Sequence, residues 1–322
     1  MQVIYCAGDT TQKVWKIQVS DMTKIDESIA YGGNIKALTE DAGYIYCAGE
    51  DVNKVWKIRK SDMEKVGESA SYGNNIEALT EDTDYVYCAG WGDWLEHIRV
   101  WKIRKSDMVK VGQSDVDNYV IYALTNDDDY VYSGGSAPNS YVRKIRKSDM
   151  ARVDSLWFGY AIYVLIKDTG YIYCAGDHFQ QTVWKIQTSD LSLDTDQGFG
   201  GYIFALAVDD EYAYIAGGAN HKVRKILNTF LGIWWESADY GDDIRALAED
   251  TDYIYCGGET TQKVWKIRKS DMEKVDESVD YGGTIRALST IAEPIPPSES
   301  LIISRDIRIG EEADFRRGTI II

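Results

Sequence analysis

The sequence predicts an all-β chain folded as a seven-bladed β-propeller, and three observations carry that expectation. First, one phrase recurs. Residues 5–38 read YCAGDTTQKVWKIQVSDMTKIDESIAYGGNIKAL, and residues 255–288 read YCGGETTQKVWKIRKSDMEKVDESVDYGGTIRAL. Second, the second tyrosine of a Y-x-Y phrase returns at Tyr5, Tyr46, Tyr87, Tyr132, Tyr173, Tyr214 and Tyr255, at intervals of 41, 41, 45, 41, 41 and 41 residues. Third, each copy of about 41 residues breaks into four strand-like runs, the period and strand count of a propeller blade.

The runs follow one order. IEAL (76–79) begins a copy, and an acidic turn, TEDTD, follows it. YVYCAG comes next, then a loop, then KVWKIR, the Ser-Asp-Met turn and an outer run of the EKVxES type. These segments are short, β-branched and aromatic, and Gly, Asp, Asn and Ser separate them. Blades are wedges, crowded at the axis. The small residues Ala37, Ala78 and Ala123 and the Cys-Ala-Gly run therefore belong inside. Trp15, Trp56, Trp101, Trp184 and Trp265 belong further out, where the gap is wide. Arg143 and Arg224 stand in place of that tryptophan in the fourth and sixth copies, with stems long enough to cover apolar surface. The first copy lacks its own I-x-A-L run and the last supplies a spare at 285–288, so a composite blade of N-terminal strands plus that inner strand is expected to close the ring.

On these residues the chain resembles the seven-bladed propellers grouped with kelch, WD40 and quinoprotein-type repeats. The Y-x-Y-x-G-G phrase at Tyr130–Gly135 is similar to the kelch double glycine, and VWKIRKSDM is similar to a quinoprotein strand and turn. No Gly-His or Trp-Asp pair of the WD40 kind stands in register. The near-identical tandem units also resemble propellers of bacterial and phage surface or tail proteins. That likeness implies a context and no particular activity.

Composition narrows the function classes. With 52 Asp and Glu against 35 Lys and Arg, the net charge of −17 argues against nucleic acid and against anionic membranes. No apolar run reaches the roughly 20 residues of a membrane span. MQVIYCAGDT has neither a basic region nor a long apolar core, so no secretory signal is read there. The five cysteines, Cys6, Cys47, Cys88, Cys174 and Cys256, share one repeat position and read as small buried apolar residues rather than as disulfides. No CxxC or HExxH spacing points to a metal, and no cofactor is assigned.

Strand order gives the blade ring two faces. The acidic turns and the Ser-Asp-Met turns share one, the turn face. There Asp41, Asp82, Asp127, Asp168, Asp209 and Asp250 read as turn formers. Lys16, Lys57, Lys102, Lys144, Lys185, Lys225 and Lys266 hold one strand position in every copy and are expected in a structural ion pair. The loops after Y-x-Y and the links between blades share the other, the loop face, and here the copies disagree. CAGWGDWLEHIRVWKI, from Cys88, inserts four extra residues. All three histidines, His97, His178 and His221, fall in these loops, with Trp91, Trp94 and Phe179. The links carry an aromatic-Gly step at Tyr31, Tyr72, Phe158, Phe199, Tyr240 and Tyr281, and the x of I-x-A-L varies as Lys36, Glu77, Tyr122, Tyr163, Phe204, Arg245 and Arg286. Candidate ligand- or partner-binding residues are Trp91, Asp93, Trp94, His97, Asn139, Tyr141, His178, Phe179 and His221. Trp91 and Trp94 form either a contact surface or a lid over the blade top.

The propeller is expected to span 1–289. Residues 290–300 hold three of the four prolines and read as a stiff linker. Residues 301–322 are β-prone, with Leu301, Ile303, Ile307, Ile309, Ile320 and Ile322 as assembly contacts. This tail is a strand donated to a partner sheet, the start of a further domain, or a strap on its own propeller. The leading expectation is a non-enzymatic display and binding module. The tail would tether it to a virion tail, capsid or cell-surface structure, and the loop face would bind a host or partner surface. A cytoplasmic scaffold is the alternative location. A carbohydrate-binding lectin, with one or two sites at the aromatic loops around Trp91, Trp94, His97, His178 and Phe179, is the second functional reading. A propeller enzyme, quinoprotein-like or a lyase, is the third, because no catalytic constellation can be argued from the residues.

Overall fold

The computed structural model describes residues 2–92, 98–117, 119–136, 140–177, 182–218, 221–229 and 234–292. Among them every regular element is a strand. The strands form seven four-stranded antiparallel sheets. The seven inner strands are Ile35–Glu40, Ile76–Glu81, Ile121–Asn126, Ile162–Asp168, Ile203–Val208, Ile244–Glu249 and Ile285–Ala292. Each packs against the next in sequence, and Ile285–Ala292 packs against Ile35–Glu40, so the ring closes. This is a seven-bladed β-propeller.

Closure is as expected. In the composite blade, here blade one, Ile285–Ala292 pairs antiparallel with Gln2–Gly8, and Trp15–Gln18 and Lys24–Glu27 follow outward. The pairing runs from Gly8 opposite Ile285 to Gln2 opposite Ala292. The strand thus continues through Thr290, Ile291 and Ala292, into the segment where the sequence places the linker.

The core lies between blades. One layer joins Tyr46, Ala48 and Val55 of blade two to Ile76, Cys88, Trp101 and Met108 of blade three. All five thiols are free and buried. Burial, against the opposing charge of Lys65, pushes Cys47 up to about 12, so these groups stay neutral packing atoms. The Ser-Asp-Met methionines take left-handed backbone angles, with φ of 53° at Met63 and 59° at Met108. Such a conformation costs a non-glycine residue about 1–2 kcal/mol. Burial of the side chain against the preceding blade offsets it: Met108 fills the space over Gly67, 3.2 Å from where a Cβ would sit.

The turn aspartates behave as turn formers. Asp41 Oδ1 accepts the Gly43 and Tyr44 N–H groups, and its Oδ2 accepts the Tyr46 hydroxyl. Asp82, Asp127, Asp209 and Asp250 repeat the pattern on Tyr87, Tyr132, Tyr214 and Tyr255. The strand lysines share a partner other than the carboxylate that the sequence suggests. Each donates instead to a backbone carbonyl of the next blade, at 2.5–3.0 Å: Lys16 to Lys60, Lys57 to Lys105, Lys102 to Lys147, Lys144 to Thr188, Lys185 to Asn228, Lys225 to Lys269 and Lys266 to Val19. The reason is level. The strand lysine lies opposite the neighbour's turn backbone, whereas the lysine three residues later reaches the acids. Lys105 pairs with Glu81 of its own blade and, at 3.1 Å, with Asp41 of the preceding one. Lys147 and Lys269 bridge in the same way to Asp82 and Asp209.

The link aromatics are also interior residues, not part of the loop face's surface. Tyr31, Phe158, Tyr240 and Tyr281 are almost fully buried. Each meets the tryptophan of the next blade edge-on, as Tyr72 meets Trp101 at 5.0 Å between ring centres. The glycine after each aromatic holds a left-handed φ, 98° at Gly32 and 100° at Gly73, which lets the link turn inward.

Candidate functional site

Each inner strand carries a β-bulge at the x of I-x-A-L. Ile35 pairs with Gly49 and Ala37 with Ala48, which leaves Lys36 without an opposite residue. The same shift falls at Glu77, Tyr122, Tyr163, Phe204, Arg245 and Arg286. A bulge re-aims the extra side chain. The glycine opposite is required by close approach, because a Cβ on Gly49 would lie 1.9 Å from the Asn34 carbonyl oxygen. The seven re-aimed side chains converge on the axis at the loop face. With Asp177 and Tyr202 they line a funnel of about 510 Å³. Below it the Ala and Leu positions of the inner strands narrow the channel to about 190 Å³.

Two larger grooves, of about 840 and 1010 Å³, run between blades on the turn face. Their walls are the aspartate turns and bridging lysines that recur around the ring. They follow from blade packing, and the funnel is where the blades differ.

The funnel is divided by character. Tyr122, Tyr163 and Phe204 form an arc with ring centres 5.8 and 5.5 Å apart, and Tyr202 stacks on Phe204 at 6.2 Å. Arg245, Arg286 and Lys36 follow around the rim. The Arg245 guanidinium lies 3.8 Å from the Phe204 ring centre. Each cation has a carboxylate behind it. Arg245 meets Asp243 and Glu259 at 2.8 Å, Arg286 meets Asp9 at 2.8 Å, and Lys36 meets Glu50 at 2.9 Å. Glu77 closes the circle. Burial pushes its carboxyl above the usual range, and burial does the same to Asp177. Carboxylates therefore outnumber cations at this rim. A polyanion is disfavoured there, and a neutral polyol or a cation is suited.

Trp91 joins the rim. It is 42% exposed, and its indole N–H donates to Glu77 at 2.9 Å. Tyr141 lies elsewhere, on the third strand of blade four opposite Trp157, with its ring 5.5 Å from the Arg143 guanidinium. His221 lies near the link out of blade six, 3.9 Å from Asp239. Asp93, Trp94, His97, Asn139, His178 and Phe179 fall outside the described residues, as do Leu301, Ile303, Ile307, Ile309, Ile320 and Ile322 of the tail. Sequence reasoning noted the variation at x but did not select those positions. The signal available was that variation, next to a glycine repeated in every copy.

No family model matches the chain, and no curated protein matches it in sequence. Solved structures do match in fold. A computationally designed protein, Ika8, superposes with a TM-score of 0.66 at 14% identity, over 89% of this chain and 90% of that one. The WD40 β-propeller domain of Doa1 superposes with a TM-score of 0.64 at 11% identity, over 79% of this chain and 84% of that one. At such identities the likeness concerns architecture alone.

Proposed function

We propose that this propeller is a non-enzymatic binding module, carried on a larger assembly by its C-terminal segment, and that the loop-face funnel holds its ligand. One observation carries the reading. The bulged positions escape the packing that repeats around them, and together they present an aromatic arc beside an arc of paired charges. Concave sites that hold ligands have this make-up, apolar walls with a few fixed polar groups. The likeness of the repeats to surface and tail propellers supports a virion or cell surface as the place of display.

The lectin reading is favoured within this proposal by the aromatic arc and the carboxylate surplus. Tyr122, Tyr163 and Phe204 offer flat faces for the C–H side of a sugar ring. Glu77, Asp177 and the Arg–carboxylate pairs offer acceptors and donors for its hydroxyls. The test is binding of the full chain to a broad neutral glycan array and to intact cells, compared with Tyr122→Ala/Tyr163→Ala. Specific binding that the double variant loses, at unchanged far-ultraviolet circular dichroism, supports the funnel. Binding retained by the variant places the site elsewhere, and absence of binding by the parent chain on both surfaces rejects the reading.

A further inference from the structure

We propose that His221, Asp242 and Asp243 form a binding site for a divalent transition-metal ion at the junction of blades six and seven. An imidazole nitrogen and one oxygen from each carboxylate all lie within 4.8 Å of one another. They come from two elements that the fold holds together. His221 ends the loop before the strand Arg224–Leu227, and its carbonyl accepts the Tyr240 N–H at 2.7 Å. Asp242 and Asp243 follow Gly241 in the link that Tyr240 anchors.

The same frame recurs at three other junctions, where Gln12, Asn53 and Gln262 accept the N–H groups of Tyr31, Tyr72 and Tyr281. There the positions that match Asp242 and Asp243 hold Gly33 and Asn34, Asn74 and Asn75, or Gly283 and Thr284. Those sets are neutral. At blade six all three positions change together, to one histidine and two aspartates. The backbone had no need of the change, since it has the same form with the neutral sets.

The surroundings admit a cation. Asp239 lies 3.9 Å from His221 Nδ1 and adds a further carboxylate. Arg245 is the cation facing the group, held by Asp243 Oδ2 at 2.8 Å and by Glu259. Asp242 accepts the Thr260 hydroxyl and, at 2.8 Å, the Asp243 N–H. A carboxylate has about four lone-pair sites, so these bonds leave both aspartates able to ligate. One imidazole with two carboxylates suits a borderline ion such as Zn²⁺, with water completing the shell. Mg²⁺ favours an all-oxygen shell and is a poor fit. The spacing escaped motif reading because the ligands are about twenty residues apart and meet only through the link.

The experiment titrates the full chain with Zn²⁺ by calorimetry, and with Mg²⁺ for comparison. Binding of one Zn²⁺ equivalent is expected, weakened at least about tenfold in His221→Gln and in Asp242→Gly. Both substitutions restore residues that other junctions carry, so folding is retained. His97→Gln and His178→Gln are expected to leave that equivalent unchanged. Zn²⁺ binding untouched by His221→Gln and Asp242→Gly, or no saturable binding, overturns the site. None of these outcomes depends on the funnel's ligand.

Discussion

Where blades three and four meet, an ion pair replaces an aromatic pair, and this gives the sharpest test of how the ring is held. Asp117 occupies the link position that Tyr72 holds one blade earlier, and Arg143 the strand position of Trp101. The Arg143 guanidinium meets Asp117 at 2.7 Å, with side chains 13% and 5% exposed. Arginine cannot shed its proton to escape burial. Asp117→Ala therefore leaves a charge without its partner inside the interface, at a cost of about 3–5 kcal/mol. Asp117→Tyr with Arg143→Trp installs the pair used at neighbouring junctions. Replacing a buried ion pair by well-packed apolar groups is neutral or stabilising by about 1–4 kcal/mol. The four corners of this cycle, followed by guanidinium unfolding of the full chain, should then show coupling of at least about 3 kcal/mol between the two positions. An Asp117→Ala cost below about 1 kcal/mol, or additive effects in the cycle, would refute the account.

Three further outcomes are expected from the same assay. Lys225→Met keeps the stem but removes the bond to the Lys269 carbonyl, which is 2.7 Å long and buried, and should cost about 1.5–3 kcal/mol. Gly49→Ala drives a Cβ to 1.9 Å from a backbone oxygen and should cost at least the ~1–3 kcal/mol usual for overpacking, while Gly43→Ala, with nothing within 4 Å, should stay within about 0.5 kcal/mol of the parent. Glu77→Gln addresses pH. The folded carboxyl titrates above its unfolded value, so its contribution is full below about pH 4.3 and is lost as pH rises through the folded pKa. The Gln variant should thus be the more stable at pH 7 and equal to the parent at pH 4, and a difference that persists at pH 4 would contradict this.

The fold was legible because the repeat states each blade contact several times over. Period, strand order and closure all follow from that redundancy. Partners across blades were less legible. A lysine at a constant strand position looks the same whether it meets a carboxylate or a carbonyl, and the distinction depends on which level of the neighbour it faces. The aromatic links border variable loops, yet Tyr31, Tyr72, Phe158 and Tyr240 are each drawn inward by a tryptophan some 25 residues later. Asp117 was passed over for a related reason: it stands where the other links place an aromatic, and its meaning appears only beside the missing tryptophan at Arg143. At the candidate site the varying x was visible in the sequence. Its aim toward the axis comes from a register shift, which no residue count shows.

The run of the inner strands sets a direction for the whole molecule. Each enters at the loop face and leaves at the turn face, and Ile285–Ala292 is no exception. At its far end the Thr290 hydroxyl donates to the Glu249 carbonyl, and Gln2, opposite Ala292, reaches Asp250 of an acidic turn. Ala292 thus lies on the side opposite the funnel. A contact made at the Gln2–Ala292 pair would approach the propeller from its back. Such a contact would leave the mouth of the axis facing the other way.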